Sequence, residues 1–295
     1  MKKTVNLKTI LAPAQSGAYA VGSFSPRYTK LIRPVIEAGI MTHSPIIVQI
    51  SEKEIYRHQV SLKAFSREFF QICDLLSPEI PITLHLDHTK DMAVIREAMD
   101  VGFTSVMIDA SELPFEDNVK KTLEVIAMAH PKNISVEAEL GQIGTTDFAE
   151  TDTDEEHFTQ PEEAKRFCEL TGVDALAVSV GTAHGLYTTR QPRVDFQRLV
   201  EINRLTNTPL VLHGASGVPS AMVTQAATLP SGGVCKVNIA TDLEQAMLAV
   251  LGEKTHMTES QLNAVSAPLL DEALAQVRDL VIDKIQNYLL SANKA

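Results

Sequence analysis

The sequence predicts an α/β fold, a closed (β/α)8 barrel with extra C-terminal helices, organised as one domain over residues 1–295. Three observations predict it. Eight short apolar runs recur at 18–24, 45–51, 82–88, 104–110, 134–140, 174–180, 209–215 and 235–241. They are almost continuously apolar, as parallel strands are when helices cover one face and a core fills the other. Amphipathic helical patterns separate them, and 295 residues suit one large barrel. An open doubly wound sheet is the alternative, but no GxGxxG follows the first run.

The elements follow in order. In 54–76, Ile55, Val60, Phe65, Phe69, Ile72 and Leu76 form a broad apolar stripe between charged residues. Val119, Leu123, Ile126 and Met128 repeat the pattern in 117–129, and Thr159, Glu162 and Glu163 mark a helix start over 159–170. The acidic, aperiodic stretch 144–158 reads as a mobile lid on the face that carries chemistry in barrels. Residues 257–292 read as helices outside the barrel.

Composition narrows the function. With 26 Lys+Arg against 37 Asp+Glu, the net charge of -11 and the lack of a basic stripe argue against nucleic acid as the main partner. Cys73, Cys168 and Cys235 lie far apart without a CxxC pair, which fits a reducing, cytoplasmic compartment. The two lysines near the N-terminus precede an apolar run that breaks at Pro13, too short for a signal sequence. No stretch approaches the ~18 apolar residues of a membrane span, so no membrane partner is expected.

Barrels place chemistry at the C-terminal ends of their strands. Here those ends read HLDH (85–88), IDAS (108–111), EAELG (137–141), GTAHG (181–185), HGASG (213–217) and NIAT (238–241). His88, His184 and His213 lie at three different ends, which converge in a closed barrel. Three neutral imidazoles leave an open position on a tetrahedral zinc ion; hydrogen-bonded structural histidines are the ordinary alternative. His43, His58, His130, His157 and His256 fall in helices or loops and read as surface residues. Asp87 is either a general acid/base or a carboxylate that orients a histidine. Glu137 and Glu139, two apart, share a side of their strand, and a carboxylate pair inside a barrel needs a metal, Arg or Lys beside it. The small-residue turns HGASG and NIAT allow backbone N–H groups to approach an anion.

Taken together, HLDHTKD (85–91), SVMIDASELPFEDN (105–118), SVEAELGQIG (135–144), AVSVGTAHGLY (177–187), LVLHGASGVP (210–219) and KVNIATDL (236–243) resemble the class II, metal-dependent fructose-bisphosphate aldolase family, most closely its tagatose-bisphosphate branch. The resemblance implies a Zn2+ ion on His88, His184 and His213, with Glu139 as a nearby or alternative ligand, and Asp87 as the acid/base at the substrate C4 hydroxyl. It implies a phosphate site for dihydroxyacetone phosphate at Gly185, Gly214, Ser216 and Thr241, often with a monovalent cation (Na+ or K+). Asn238 would donate to the enediolate, and Ser51 matches an active-site serine. The reaction implied is reversible cleavage of a ketose 1-phosphate or ketose 1,6-bisphosphate to dihydroxyacetone phosphate and an aldehyde, by a homodimer or homotetramer. A non-catalytic barrel subunit and a metallohydrolase are the rival readings.

Departures from the family pattern concern the substrate. Ser25 stands where an asparagine is expected; the loop reads GTTDF, which leaves Asp147, or Glu150, as the proton-transferring carboxylate; position 240 is alanine. No arginine lies between Arg204 and Arg278, where the family supplies one for the distal phosphate. Arg27 and Ser25 are therefore expected to read a different tail, such as the sulfonate of sulfofructose 1-phosphate, a carboxylate or a neutral hydroxyl.

Overall fold

The computed structural model describes residues 4–143, 157–185, 187, 191–230 and 232–295. Eight parallel strands, β1 (Val21–Phe24), β2 (Ile46–Ser51), β3 (Ile82–Thr89), β4 (Ser105–Ile108), β5 (Ser135–Leu140), β6 (Ala175–Val178), β7 (Leu210–Leu212) and β8 (Val234–Ile239), pair in sequence order. β1 pairs with β8, Val21 opposite Lys236, which closes the barrel. All eight apolar runs of the sequence are strands.

Strand alternation divides the side chains. Ile46, Val48 and Ile50 face the outer shell, and Leu84, Leu86, Val106 and Ile108 join them there. Around the barrel stand α2 (Ile32–Thr42), α3 (Glu52–His58), α4 (Leu62–Leu76), α5 (Met92–Asp100), α6 (Phe115–Ala129), α7 (Pro161–Thr171), α8 (Phe196–Leu205), α9 (Ser220–Ala227) and α10 (Thr241–Leu251). Inside, the N-terminal half is apolar: Val21, Ile47, Met107 and Val211 pack against Leu7, Ile10, Leu11 and Ala14 of α1 (Leu7–Gly17). The N-terminal run is thus a helix that plugs one mouth of the barrel, and Pro13 lies within it rather than ending it. The inward residues of the C-terminal half, including Ser23, Gln49, His85 and Glu137, are polar and buried.

Two helical expectations change. The stripe over 54–76 is two helices, because Ser51 and Glu54 form a capping box that starts α3 early, Gln59 turns left-handed (φ +56), and Ser61 caps α4. Thr159 is not a helix cap: its hydroxyl donates to Leu140 O at 2.5 Å and accepts from Ser179 N at 2.8 Å, tying β5 to the end of β6. Gln160 takes the N-cap position of α7 without a side-chain cap bond, and Pro161 begins the helix. The C-terminal segment forms α11 (Glu259–Asn263), α12 (Ala267–Asp283) and a π-helical turn, with α12 packed on α10 and α2. Among the described residues no helix is long and apolar enough to cross a membrane.

Candidate active site

A cavity of about 1170 Å³ opens at the C-terminal ends of the strands. Asp87 and His88 are neighbours in sequence and ought to face opposite sides of β3. The β3–β4 register shifts between Leu86 and Thr89, and His88 adopts φ +25, so this bulge turns both side chains into the cavity.

His88, His184 and His213 bring one ring nitrogen each to within 4.8 Å of one another. Their rings lie 4.8 Å (His88–His184) and 4.3 Å (His88–His213) apart by centroid. Carboxylates set their tautomers. His88 Nδ1 lies 2.9 Å from Asp109 Oδ2, and His213 Nε2 lies 2.9 Å from Glu137 Oε1. Both carboxylates only accept, so each histidine gives its proton outward and turns the other nitrogen inward. His88 Nε2 and His213 Nδ1 are the nitrogens left buried without a hydrogen-bond partner, as is Glu139 Oε2, 3.3 Å from His213 Nδ1. Orphaned lone pairs of two imidazoles and a carboxylate, converging with a third imidazole, fit a divalent cation.

Protonation tells the same story. Burial opposes charge on His88, but Asp87, the Asp109 hydrogen bond and Glu139 outweigh it and raise its pKa to about 10. A proton is drawn to the place where the carboxylates call for a cation. His184 moves the other way, to about 3, through burial and the charge of His88. Burial pushes Glu139 up to about 8.

Asp87 is 5% exposed and held from three sides. Gln49 Nε2 donates at 3.1 Å and Asn238 Nδ2 at 3.0 Å, while Lys236 Nζ lies 3.7 Å away. Burial disfavours its charge, yet His88, Lys236 and His213 together hold its pKa below the usual carboxylate range.

The small-residue turns lie on the wall formed after β6, β7 and β8. Gly214 has φ +65, and a Cβ there would stand 2.5 Å from Ala183 O, so only glycine fits. The Tyr187 hydroxyl accepts from Ala183 N at 2.8 Å and donates to Gly214 O at 3.1 Å, which locks the turns that carry His184 and His213 to each other. Ser216 Oγ accepts from Ala240 N (3.3 Å) and Asp242 N (3.4 Å), joining the β7 turn to the β8 turn. Gly185, Gly214, Ser216, Asn238 and Thr241 all line the cavity with Asp87.

Other expected residues sit differently. Ser51 lines the cavity, but its hydroxyl caps α3, accepting from Glu54 N at 3.3 Å. Arg27 lines the cavity as well, yet its guanidinium is bound inside the protein: Nε donates to Glu54 at 2.9 Å, Nη1 to Glu244, and Nη2 to Thr241 Oγ1 at 3.3 Å. Ser25 donates to Glu54 at 2.6 Å. Two buried carboxylates thus share the arginine's single charge, and Ser25 donates to one of them, which ties both residues into the wall of the cavity. His58 is fully buried rather than at the surface; its Nδ1 lies 3.0 Å from Met257 O. Asp147 and Glu150 lie outside the described residues.

Sequence reasoning assigned no role to Asp109, Gln49, Tyr187 or Glu244. For Asp109 a signal existed: it ends β4 as IDAS, where barrel chemistry sits.

A parallel barrel whose C-terminal mouth gathers a histidine cluster able to hold a cation, a buried carboxylate and glycine turns has the layout of a barrel enzyme. The model of the family described as fructose-bisphosphate aldolase class-II matches residues 5–294, and the chain belongs to that family of metal-dependent aldolases, carbon–carbon lyases. Among solved structures it is similar to the YdjI aldolase from Escherichia coli K12 (28% identity, 99% of both chains, TM-score 0.82). It is equally similar to a proposed fructose-1,6-bisphosphate aldolase from Coccidioides immitis (28% identity, 99% of this chain and 98% of that one, TM-score 0.81). A fructose-bisphosphate aldolase from Campylobacter jejuni shares the fold at 20% identity, over 98% and 95% of the chains, with a TM-score of 0.76.

Proposed function

We propose that this aldolase reversibly cleaves a ketose 1-phosphate or ketose 1,6-bisphosphate to dihydroxyacetone phosphate and an aldehyde, with zinc as its metal. The observation that carries this reading is one cavity lined by Asp87, two of the clustered imidazoles and the glycine turns after β6 and β7. His88, His184 and His213 would hold the ion, with Glu139 as a further or alternative ligand. When bound, zinc supplies Lewis-acid polarisation of the substrate's carbonyl and adjacent hydroxyl oxygens, which lowers the energy of the negative charge left at C3.

The remaining chemistry belongs to the side chains. Asp87 accepts the C4-hydroxyl proton as the C3–C4 bond breaks and returns it in condensation; a carboxylate held ionised beneath the cavity suits that role. Asn238 donates to the same carboxylate, so its amide also reaches the reacting end of the substrate. Gly185, Gly214, Ser216 and Thr241 bind the dihydroxyacetone phosphate end through backbone N–H groups and hydroxyls, with a Na+ or K+ ion beside the phosphate. Asp147 moves the proton at ketose C3, which is the hydroxymethyl carbon of dihydroxyacetone phosphate. The barrel is one domain, works in the cytoplasm and assembles as a homodimer or homotetramer.

A second reading concerns the tail. Because no arginine lies between Arg204 and Arg278 and Arg27 is committed to Glu54 and Glu244, a modified ketose phosphate with a non-phosphate tail, for example sulfofructose 1-phosphate, is the alternative to a bisphosphate. Condensation of dihydroxyacetone phosphate with glyceraldehyde 3-phosphate, glyceraldehyde, lactaldehyde and sulfolactaldehyde, with and without chelator, tests both readings. Zinc-dependent condensation supports the reaction, and its absence with every aldehyde refutes it. A preference for glyceraldehyde 3-phosphate refutes the modified tail.

A further inference from the structure

Below the three histidines lies a second group of potential ligands: His85, Asp87 and Glu137 each offer an atom within 4.8 Å of the others, all buried. A divalent ion would find carboxylates and an imidazole there too. This lower position already has a cation. The Lys236 side chain, fully buried, runs inward from β8 and sets its Nζ 2.9 Å from Glu137 Oε2, 3.2 Å from Glu137 Oε1 and 3.7 Å from Asp87 Oδ1. His85 Nε2 approaches the same oxygens, 3.4 Å from Glu137 Oε2 and 3.8 Å from Asp87 Oδ1, while its Nδ1 meets Ser105 Oγ at 2.9 Å.

We infer that the Lys236 ammonium is the resident cation of the His85–Asp87–Glu137 cluster and acts as a positioning residue for both Asp87 and His213. The reasoning rests on the proposed roles of those two residues. Two carboxylates buried this close are costly together unless a positive charge stands between them. Glu137 Oε1 stands 3.2 Å from Lys236 Nζ and 2.9 Å from His213 Nε2, so the ammonium fixes the carboxylate that orients the His213 ring. Without the ammonium the carboxylate loses its nearest cation, and the ring it holds is no longer fixed. The His213 nitrogen that faces the upper cluster would then leave its place among the other ligands. Asp87 would lose its third neighbour by the same change. One lysine thus holds a proton acceptor and a ligand in their working positions without touching substrate or metal.

The test compares the full-length enzyme with Lys236→Met and with Lys236→Met/Glu137→Gln. The double variant removes the carboxylate that sits closest to the lost ammonium, leaves Asp87 with its Gln49 and Asn238 donors, and keeps an amide oxygen to accept from His213. Zinc affinity is read by chelator competition, and turnover by condensation of dihydroxyacetone phosphate with glyceraldehyde. Lys236→Met is expected to bind zinc about tenfold more weakly and to lose about 100-fold in kcat with little change in KM. Glu137→Gln in addition should restore most of the zinc affinity and part of kcat. Loss of packing alone would not be repaired by an isosteric change on another strand. If Lys236→Met does not fold, recovery of folding in the double variant supports the inference, and a double variant that also stays unfolded overturns it. Wild-type zinc affinity in Lys236→Met, or a deficit that Glu137→Gln fails to relieve, overturns it as well. Zinc binding is measured without substrate, so failure of the proposed reaction would show separately, as a wild-type enzyme that binds zinc but condenses none of the aldehydes.

Discussion

Replacing Arg27 with methionine separates two roles that sequence and geometry assign to one residue. The arginine follows β1 in a left-handed conformation (φ +63), which turns its side chain between α3 and α10. There it holds Glu54 and Glu244, buried carboxylates 7% and 1% exposed. Methionine keeps much of the volume and removes the charge, leaving both carboxylates buried with no arginine between them. Breaking a buried pair from one side costs about 3–5 kcal/mol. An unfolding entropy of about 2.1 cal/mol/K per residue over this chain converts that cost into a fall in Tm of about 5–8 °C. Scanning calorimetry of the zinc-loaded protein measures it, and the aldehyde panel is run on the same samples. Adding Glu54→Gln and Glu244→Gln to the variant should recover most of the loss, because neutral amides need no buried counter-charge. An unchanged Tm together with a lost preference for anionic aldehydes would refute this account and return Arg27 to the substrate's tail.

Acid titration supplies a second check. Burial alone would raise the Glu54 pKa, but Arg27, Ser25 and the Ser51 N–H outweigh it and set it below the usual value. Its contribution is therefore present above the unfolded-state value and drains away as pH falls below about 4; Glu54→Gln should flatten that limb of the Tm–pH curve, and a parallel curve would contradict the pairing. Asp87→Asn should lower condensation kcat by about 10²–10⁴ while sparing exchange of the hydroxymethyl-carbon proton of dihydroxyacetone phosphate with solvent, and equal losses in both would reassign Asp87. Gly214→Ala should raise KM for dihydroxyacetone phosphate at least about tenfold, since a left-handed alanine costs roughly 1–2 kcal/mol before its clash with Ala183; wild-type KM and Tm would show that the turn relaxes cheaply. Chelation should abolish condensation and lower Tm, and zinc should restore both; a chelated enzyme with full activity would remove the metal from the reaction.

Most of the barrel was legible because buried parallel strands leave a continuous apolar signature, and all eight runs carried it. The first helix was not. LKTILAPAQSG contains a proline and packs on the barrel floor rather than on a sheet face, so its stripe resembles a truncated leader. Within the site, His88, His184 and His213 were readable as strand-end histidines, and the structure brings them together. Their orienting carboxylates were harder to see. Asp109 and Glu137 act through hydrogen bonds to residues 21 and 76 positions away, and only the closed barrel sets those separations. The pairing of Arg27 was hidden for the same reason: its partners lie on α3 and α10, and a lone arginine in sequence looks free.

Arg27 and Lys236 resolve one physical problem at two depths. Each is a buried cation between two buried carboxylates, Glu54 and Glu244 in one case, Glu137 and Asp87 in the other. A net charge of -11 says nothing about either group, because what matters inside a barrel is local pairing in a low dielectric. The upper layer differs. Asp109 and Glu139 stand with His88 in a further cluster of potential ligands, and Lys236 does not reach them. The charge that Lys236 supplies below must come from elsewhere above, and the protein's response is visible in His88, raised to about 10, and Glu139, raised to about 8. Against the effect of burial, the His88 shift comes from Asp87, Asp109 and Glu139, and the Glu139 shift comes from burial first, with Asp109 and Asp87 adding to it. A divalent ion would displace the protons of those two groups and satisfy the same deficit while leaving Asp87, compensated from below, free to exchange a proton with substrate.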